Sequence, residues 1–337
     1  MPIKYSRDVT YPEDIKTVLL MGGTPMLPKL AAKLRERGLE VICYTSPRQV
    51  SEIGPTDEAI TVTEDINAIP WTPNEKTIAI GMGEAWVFGP EMRAAFGDRL
   101  LDYMSIPLPR YRGGAHVSWA IMRGDWEWGG CLQLVTENTV PGEFDDGELV
   151  AKWDYQVPNN LRIPQQWFAH CWDKDIAAIL TFFNHIKIGH VFHLRPVNER
   201  ESLFLPRLRT FDNGWIDWSQ QVVQLERQIC AFDDPYPGAR TSLYDPHYGE
   251  REVALKDVSW DGLLCAPAPF QRGLVLRVKD GIHIAAVNGV IVARRVLYHG
   301  ADYTDHVKVG MRFVTSAEQI EKAMIAQPIY TPKMTAQ

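Results

Sequence analysis

An apolar strand pattern that runs into a glycine turn and then an amphipathic helix pattern is the feature that most narrows the fold of this chain. The apolar run over residues 17–21 stops at the turn sequence GGTP, residues 22–25. Residues 26–37 then carry leucines at helical spacing, and a second strand-like segment follows at residues 40–44. Strand, helix and strand in this order are typical of a parallel, doubly wound sheet. We therefore predict an α/β fold for the amino-terminal part of the chain.

The pair Gly22-Gly23 stands where dinucleotide-binding proteins carry a glycine-rich loop. The full G-x-G-x-x-G pattern is absent from this segment, and a glycine pair alone is weak evidence for a nucleotide site. A sharp turn at the carboxyl end of the first strand is the favoured interpretation, and a dinucleotide site is the less favoured one.

Further segments extend the α/β pattern as far as residue 212. Strands are predicted at residues 77–80 and 132–135, and an apolar helix is predicted around residues 176–183. These elements define a predicted first domain over residues 1–212.

The pattern changes after residue 213. A helix is predicted over residues 222–232, and a turn-rich segment follows at 233–238. Short alternating segments then recur, as is typical of strands in a small β-barrel. They span residues 273–278, 282–287 and 290–296. We predict a second domain over residues 213–330, made of a linker helix and this barrel.

The overall charge argues against a nucleic-acid partner. The chain carries 42 acidic and 35 basic residues, a net charge of -7, and its pI is near 5.7, whereas neutralising phosphates requires clustered Lys and Arg. The first residues lack the apolar core of a signal peptide, and no apolar run approaches the roughly 18 residues that cross a bilayer. We therefore expect a cytoplasmic protein with no membrane partner. The five scattered cysteines predict buried, reduced thiols.

The segment LPRYRGG, residues 108–114, resembles a loop of the folate-dependent formyltransferases, which include methionyl-tRNA formyltransferase and the sugar N-formyltransferases. Further segments in the family's order extend the resemblance over nearly the whole chain. They are TSPR at 45–48, GMGEAWVF at 81–88, RYRGGAHVSW at 110–119, the segments at 130–135, 206–208 and 213–218, and AFDDPYPGART at 231–241. The resemblance is closest to the sugar-type members. It implies a Rossmann-like catalytic domain followed by a small barrel like that of oligonucleotide-binding (OB) proteins.

The resemblance also implies a cofactor. In the family, 10-formyltetrahydrofolate lies beside one segment and passes its formyl group to an amine. The corresponding residues here are Gly83, Glu84, Ala85, Trp86, Val87 and Phe88. Trp86 is the tryptophan that this resemblance places at the folate pocket.

Three further positions follow from the resemblance. In the family, an Asn-x-His pair before the loop helps to hold the tetrahedral oxyanion, and here Asp102 and Met104 stand in those positions. A later Asp orients or deprotonates the reactants, and Asp145 matches it. Asp146 is the second choice for that role, and a merely solvated acidic loop is the other interpretation.

The two replacements matter because acyl transfer builds negative charge on the formyl oxygen. Removing one oxyanion donor typically costs about 2.7–4 kcal/mol, and the thioether of Met104 has no proton to give. Asp102 donates only when it is protonated, which a nearby carboxylate such as Asp145 would favour. His116 is a candidate replacement base. Sugar-type relatives carry a histidine there in addition to the missing one, so a local hydrogen-bonding role for His116 is the favoured interpretation.

Two arginines and three histidines complete the candidates. Arg110 and Arg112 lie on the loop, where guanidinium groups suit a substrate carboxylate or phosphate; bracing the loop by pairing with carboxylates such as Asp98 is an equally good interpretation. The histidines at positions 185, 190 and 193 fit no common zinc spacing, so we expect no metal site.

The leading hypothesis is a biosynthetic transferase that moves a formyl group from 10-formyltetrahydrofolate to an amine of a small substrate, such as an amino-sugar nucleotide. The alternative is a diverged homologue without formyl transfer. It would be a binding or accessory protein, forming a homodimer through its barrel, or an enzyme that uses Asp102 and Asp145 for other chemistry.

Overall fold

The computed structural model describes residues 5–136, 146–245, 249–262 and 267–328. Two large sheets, one mixed and one antiparallel, follow each other along the chain. The strands before residue 210 are β1 (Asp8–Val9), β2 (Thr17–Gly22), β3 (Glu40–Thr45), β4 (Ile60–Val62), β5 (Thr77–Met82), β6 (Leu100–Met104), β7 (Tyr111–Gly113), β8 (Glu127–Leu134), β9 (Leu149–Gln156), β10 (Phe192–His193) and β11 (Leu203–Leu205). The helices of this part are α1 (Met26–Arg35), α2 (Val50–Ile53), α3 (Pro90–Phe96), α4 (His116–Arg123) and α5 (Pro164–Lys187).

The mixed sheet has the strand order β4-β3-β2-β5-β6-β8-β9. The five strands β4, β3, β2, β5 and β6 run parallel to one another. Strand β8 then pairs antiparallel with β6, and β9 pairs antiparallel with β8. Strand β2 is buried on both faces, as its apolar sequence predicts for a central parallel strand. The predicted α/β class and the strand-helix-strand unit are therefore confirmed, and the helix predicted around residues 176–183 is the middle of the longer α5.

The glycine turn after β2 sits where the strand order reverses between β2 and β5. A Cβ added at Gly22 would lie 2.2 Å from the Met82 carbonyl oxygen, and one at Gly23 would lie 2.3 Å from Nε2 of Gln49. Gln49 is buried, and its Nε2 donates to the Gly83 carbonyl oxygen at 2.8 Å. Ligands of doubly wound sheets bind at this switch point. Here the Gln49 side chain lies against Gly23, in the turn after β2, and bonds to Gly83, in the turn after β5. The close approach supports the sharp-turn interpretation of the glycine pair.

The two faces of the mixed sheet are covered by different helices. On one face, residues of α1 and α5 pack with β2, β5 and β6 in a core that includes Leu27, Leu30, Ile80, Tyr103 and Phe182. On the other face, α3 covers a smaller core that includes Met21, Ala79, Phe96 and Leu100. Alternate residues of a strand point to opposite faces, so Leu101 and Tyr103 face the α5 side while Asp102 and Met104 face away from it.

The carboxyl-terminal part contains the second sheet. Its helices are α6 (Thr210–Asn213), α7 (Val222–Ala231) and α8 (Ala317–Ile325), and its strands are β12 (Ala239–Asp245), β13 (Gly249–Asp261), β14 (Val275–Arg277), β15 (Ile282–Ala286), β16 (Gly289–Tyr298), β17 (Ala301–Asp302) and β18 (Arg312–Val314). The strand order is β14-β15-β16-β13-β12-β18. The sheet curls as a half-barrel. The segments at its two edges are linked locally: the Val275 amide donates to the Met311 carbonyl and the Phe313 amide to the Gly273 carbonyl, both at 2.8 Å.

This half-barrel agrees with the short strands that the sequence predicts after residue 273. The helix predicted over residues 222–232 is α7, and its buried residues include Leu225 and Ile229. The long strands β12 and β13 were not predicted. The division at residues 212 and 213 stays a prediction, because one apolar core joins α4 and α5 to α7 and the curled sheet. None of the described helices is long and apolar enough to cross a bilayer.

Candidate active site

A row of side chains along β6 and β8 carries the two positions that the sequence singled out. Asp102 pairs with Gln133 and Met104 pairs with Cys131 in the antiparallel register of the two strands. Directly opposed residues of such a pair point to the same face. Asp102, Met104 and Gln133 therefore share the face opposite α5, at the carboxyl end of β6.

Gln133 joins the two predicted residues. Its Nε2 lies 3.2 Å from Oδ2 of Asp102 and 3.1 Å from Sδ of Met104. The residue is 4% exposed, and among the described residues its Oε1 has no hydrogen-bond partner. A buried amide oxygen without a donor is costly, and it is available to a polar atom of a ligand. No local sequence signal marks Gln133 as a site residue, because only the β6–β8 register places it beside Asp102.

A cleft of about 260 Å³ opens at one end of this row. Leu100, two residues before Asp102, and Val135, two residues after Gln133, line it together with Leu134 and Arg93. We call it the β6 cleft. Successive same-face residues are about 6.8 Å apart along a strand, so the Asp102 and Gln133 pair lies one step from this cleft.

The segment Gly83–Phe88, predicted to bind folate, follows β5 and is held by its neighbours. Nε1 of Trp86 donates to the Glu64 carbonyl oxygen at 3.0 Å, and Nδ2 of Asn67 donates to the Val87 carbonyl oxygen at 2.9 Å. Arg93, which lines the β6 cleft, donates through Nη1 to the Phe88 carbonyl oxygen at 2.5 Å. The segment is thus tied to that cleft through Arg93. A direct role in folate binding stays a prediction.

The predicted carboxylate, Asp145, lies outside the described residues. Its alternative, Asp146, is the first residue of the described range 146–245. Oδ1 of Asp146 accepts a hydrogen bond from Oγ1 of Thr136 at 2.7 Å, and Thr136 also lines the β6 cleft. Asp146 therefore lies beside the β6 cleft.

His116 begins α4, and its Nε2 is buried without a hydrogen-bond partner among the described residues. Burial, followed by the positive charge of Arg207, lowers the pKa of His116 to about 4, so the ring is neutral near pH 7. Arg207 also lies near Arg48, whose pKa is lowered chiefly by burial and also by the Arg207 charge. A ring nitrogen with so low a pKa is a weak base near pH 7, and the roles of His116 stay predictions.

The two loop arginines have different surroundings. Nη2 of Arg110 donates to the Glu127 carbonyl oxygen at 2.6 Å, and Nη1 lies 3.3 Å from Oε2 of Glu127 and 3.6 Å from Oδ2 of Asp125. Arg112 is buried in β7. Asp98, the carboxylate suggested for the bracing role, pairs instead with Arg7. For Arg110 the loop-bracing interpretation fits, with Glu127 and Asp125 as the partners.

A buried carboxylate on the opposite face of the sheet was also missed by the sequence analysis. Asp175, in α5, is 0% exposed and accepts four hydrogen bonds. Tyr103 and Ser105 donate to its Oδ2 at 2.5 and 2.6 Å, and Trp153 and Tyr155 donate to its Oδ1 at 2.7 and 3.0 Å. Burial raises the pKa of Asp175, and these donors oppose the shift. The network fixes the end of β6, which carries Asp102 and Met104, against β9 and α5.

Four of the five cysteines are described by the structure. Cys43, Cys131, Cys171 and Cys230 are buried, reduced thiols, as predicted, and Cys265 lies outside the described residues. Within the part of the chain that the structure describes, no group of three or more His, Cys, Asp or Glu residues is arranged to hold a metal ion.

Comparison with known proteins matches both parts of the chain. The family model "Formyl transferase, C-terminal domain" matches residues 210–302. The chain is 28% identical to the methionyl-tRNA formyltransferase of Roseiflexus sp. (strain RS-1) over 213 residues, which cover 59% of this chain and 60% of that protein. It is 31% identical to the methionyl-tRNA formyltransferase of Treponema denticola over 155 residues, which cover 46% of this chain and 45% of that protein. The chain therefore spans about half the length of these curated relatives.

Solved structures share the fold at low sequence identity. HypX from Aquifex aeolicus, crystallised with tetrahydrofolic acid, matches with a TM-score of 0.58 at 18% identity, covering 92% of this chain and 48% of HypX. An N-formyltransferase from Helicobacter canadensis, in complex with folinic acid and dTDP-3-aminofucose, matches with a TM-score of 0.56 at 11% identity, covering 82% of this chain and 98% of that protein.

A Rossmann-like sheet followed by a curled half-barrel is the fold that this chain shares with the solved formyltransferases. Together with the matched carboxyl-terminal family model and the curated relatives, this fold supports the folate-dependent formyltransferase family that the LPRYRGG segment indicated. The predicted absence of a nucleic-acid partner is not supported, because the curated relatives are named for methionyl-tRNA.

Proposed function

We propose that this protein transfers a formyl group from a formyl folate to the amine of a small substrate through an altered site. The observation that carries the proposal is the contact of Gln133 with Asp102 and Met104. Gln133 brings an amide N–H to the place where the family's Asn-x-His pair has been replaced. The site thus contains a carboxylate and an amide donor on one face of the sheet, beside a cleft.

A formyl folate would bind at the carboxyl ends of β2, β5 and β6, beside the segment 83–88, because ligands of doubly wound sheets bind there. Asp102 and Met104 lie toward the same end of β6, whereas the β6 cleft begins at Leu100, at its amino end. When bound there, a formyl folate would supply the formyl group. The HypX and Helicobacter canadensis structures, solved with folates, support this choice of cofactor.

The residues of this chain have distinct roles in the proposal. Gln133 would give to the oxygen that becomes negative in the transition state the N–H that contacts the weakly accepting Sδ of Met104. Asp102 would accept a hydrogen bond from the attacking amine and orient it. Asp145 would take the amine's proton and return it to the folate nitrogen as the bond from that nitrogen to the formyl carbon breaks. Met104 supplies no proton, so the site lacks one positioned acid-base group. We expect slow formyl transfer, because such a group typically raises the rate 10²–10⁴-fold.

We propose an amino sugar, free or carried on a nucleotide, as the acceptor. The positive charge of Arg207 helps to lower the pKa of Arg48, after burial, and the Arg207 side chain lies against Gly114 of the loop before α4. Such a pair of cations suits a phosphate or carboxylate on the acceptor. The curated relatives are named methionyl-tRNA formyltransferases, so methionyl-tRNA is the alternative acceptor. The net charge of -7 favours the small molecule, and we propose a cytoplasmic location for the reaction.

The test is a transfer assay with 10-formyltetrahydrofolate as the formyl source. Amino sugars, amino-sugar nucleotides and methionyl-tRNA serve as separate acceptors, and folate binding is measured alongside by calorimetry. We expect folate binding and turnover well below about 1 s⁻¹ with an amino sugar. Gln133→Leu should lower that turnover at least tenfold while folate still binds. Folate binding without transfer to any acceptor would favour the alternative, a diverged binding or accessory protein. No folate binding at all would overturn the proposal.

A further inference from the structure

We propose that the loop before α4 carries a subsite for a nucleoside diphosphate, which brings the acceptor amine to the site on a nucleotide carrier. The proposal rests on the proposed function for the role of the nucleotide as carrier, whereas nucleotide binding itself is independent of formyl transfer. Three side chains, those of Phe204, Arg207 and His116, meet at Gly113 and Gly114 of this loop. We call the five residues the Gly113 platform.

The two glycines let side chains of the segment after β11 lie directly against the loop backbone. Strands β7 and β11 pair in parallel, with Leu205 opposite Gly113. A Cβ added at Gly113 would lie 3.1 Å from Cε2 of Phe204, and one added at Gly114 would lie 2.3 Å from Cγ of Arg207. Larger residues would push both side chains away, so the glycines hold the Phe204 ring and the Arg207 stem next to each other.

The segment that carries these side chains is fixed from both sides. The Gly114 amide donates to the Leu205 carbonyl oxygen at 2.9 Å. Nε1 of Trp119, in α4, donates to the Pro206 carbonyl oxygen at 2.8 Å. The Gly113 platform is therefore held in place before a ligand arrives, which reduces the entropy cost of binding.

Phe204 offers an aromatic ring to a ligand. The residue is 52% exposed although its ring packs against Gly113. A planar base that stacks on this ring removes apolar surface from water, and stacking of this kind tolerates any base because every base has a flat π-face.

Two guanidinium groups add positive charge beside the ring. Arg48 follows β3, so it lies at the carboxyl ends of the parallel strands, where doubly wound sheets bind their ligands. After burial, the charge of Arg207 helps to lower the pKa of Arg48, so the two arginines lie near each other. Guanidinium forks bind phosphate oxygens in pairs. The two arginines therefore suit the two phosphate groups of a nucleoside diphosphate.

His116 adds a hydrogen-bond acceptor to the platform. Its ring hydrogen-bonds to the Gly113 backbone, and this bond raises the pKa of His116, so the ring is the donor. Nε2 is buried and has no hydrogen-bond partner among the described residues. In a neutral ring that donates through one nitrogen, the other nitrogen is an acceptor. A buried acceptor without a donor is costly, and a ribose hydroxyl would supply that donor.

This combination selects the class of ligand. A stacking ring, a pair of guanidinium groups and a hydroxyl acceptor match the base, the phosphates and the ribose of a nucleotide. A free amino sugar has neither the base nor the phosphates. The end of an RNA chain has both, but the net charge of -7 disfavours a long polyanion. The carrier is therefore a single nucleotide.

The experiment measures equilibrium binding to the whole chain without folate, by calorimetry. The probes are uridine and adenosine diphosphates, the two nucleosides and inorganic pyrophosphate. We expect at least one diphosphate to bind tenfold or more tightly than its nucleoside and than pyrophosphate. Phe204→Leu should weaken nucleotide binding at least fivefold and leave pyrophosphate binding unchanged, because it removes only the stacking ring. Arg207→Gln should weaken both, because it removes a phosphate donor.

Phe270→Leu changes a phenylalanine that is 87% exposed in the carboxyl-terminal part, and as the matched control it should leave binding unchanged. Four results would overturn the proposal: equal nucleotide binding by Phe204→Leu and the wild type, pyrophosphate binding as tight as that of both nucleotides, tighter binding of a single-stranded RNA oligonucleotide than of both, or no saturation by either nucleotide up to the order of 10 mM.

Two further outcomes separate this proposal from the proposed function. Nucleotide binding without formyl transfer to any nucleotide-linked amino sugar would support the Gly113 platform and count against the proposed function alone. Formyl transfer to such a sugar with an unchanged KM in Phe204→Leu would count against the platform alone.

Discussion

Among single residues, the proposed chemistry depends on two positions of β6 and one of β8. By the resemblance, Asp102 and Met104 stand where an amide and an imidazole are expected, and the amide nitrogen of Gln133 contacts both of them. In the proposal, the amide donor therefore comes from β8 instead of β6. Exchanging Asp102 and Met104 for the family's Asn and His tests whether the surrounding residues can still support formyl transfer.

Restoring both family residues should raise formyl transfer. We expect Asp102→Asn combined with Met104→His to increase kcat by about 10²-fold or more, since a positioned acid-base group contributes 10²–10⁴-fold. Each single change should give less than a tenfold gain, because groups that act as a unit are not additive. Steady-state assays across several amino-sugar acceptors measure this. Met104→Leu, which adds no imidazole, is the control. A double variant that folds, binds folate and gains nothing would show that the divergence extends beyond these two residues.

The buried ring of His116 should make the protein less stable in acid. Its folded pKa of about 4 lies below the ordinary 6.5, so the unfolded chain binds a proton first as the pH falls. The stability is fully present above pH 6.5 and is lost between about 6.5 and 4. The shift corresponds to a loss of up to about 3 kcal/mol. Urea unfolding at pH 7 and 4.5 should show that His116→Gln flattens this slope, whereas the exposed His306→Gln does not. An unchanged slope in His116→Gln would refute the assignment.

At the scale of elements, Asp175 joins β6, β9 and α5 through one carboxylate. Each oxygen accepts two hydrogen bonds, and the side chain is fully buried. In Asp175→Asn, an NH2 group would face two hydroxyl or indole donors. We expect a loss of about 2–3 kcal/mol, since an unsatisfied buried polar group costs about 1–3 kcal/mol. Ser105→Ala, which removes one donor, should cost less. Denaturant titration followed by tryptophan fluorescence measures both, and equal stability of Asp175→Asn and wild type would contradict the prediction.

At the scale of the whole molecule, the two sheets share one core. Trp167 of α5, Ile121 of α4 and Leu225 of α7 belong to the same apolar cluster as residues of the half-barrel. The junction is also polar, since Arg162 pairs with the mostly buried Glu226, and Oγ of Ser118 donates to the Ala231 carbonyl oxygen at 2.8 Å.

We therefore expect the two sheets to unfold together. Calorimetry and near-ultraviolet circular dichroism should report one transition with one midpoint. Glu226→Gln weakens the junction and should lower that midpoint for both probes alike, by the equivalent of about 1–2 kcal/mol, less than for a fully buried pair because Arg162 is partly exposed. Glu250→Gln, in an exposed part of β13, is the control. Two separate transitions would support independent domains and the boundary predicted at residues 212 and 213.

Features that depend only on residues close together along the chain could be predicted from the sequence alone. The apolar run of β2, the glycine turn, the leucines of α1 and the short strands after residue 273 are local patterns, so the fold class followed from them. The LPRYRGG segment indicated the family, and through it Asp102 and Met104. The residues that surround Asp102 and Met104 depend on how the chain folds and could not be predicted from local patterns. Gln133 follows Asp102 by 31 positions, and Asp175 follows Tyr103 by 72. Their contacts depend on strand register and helix packing, which carry no local sequence signal. The same holds for the β6 cleft, whose walls come together only when β6 and β8 pair.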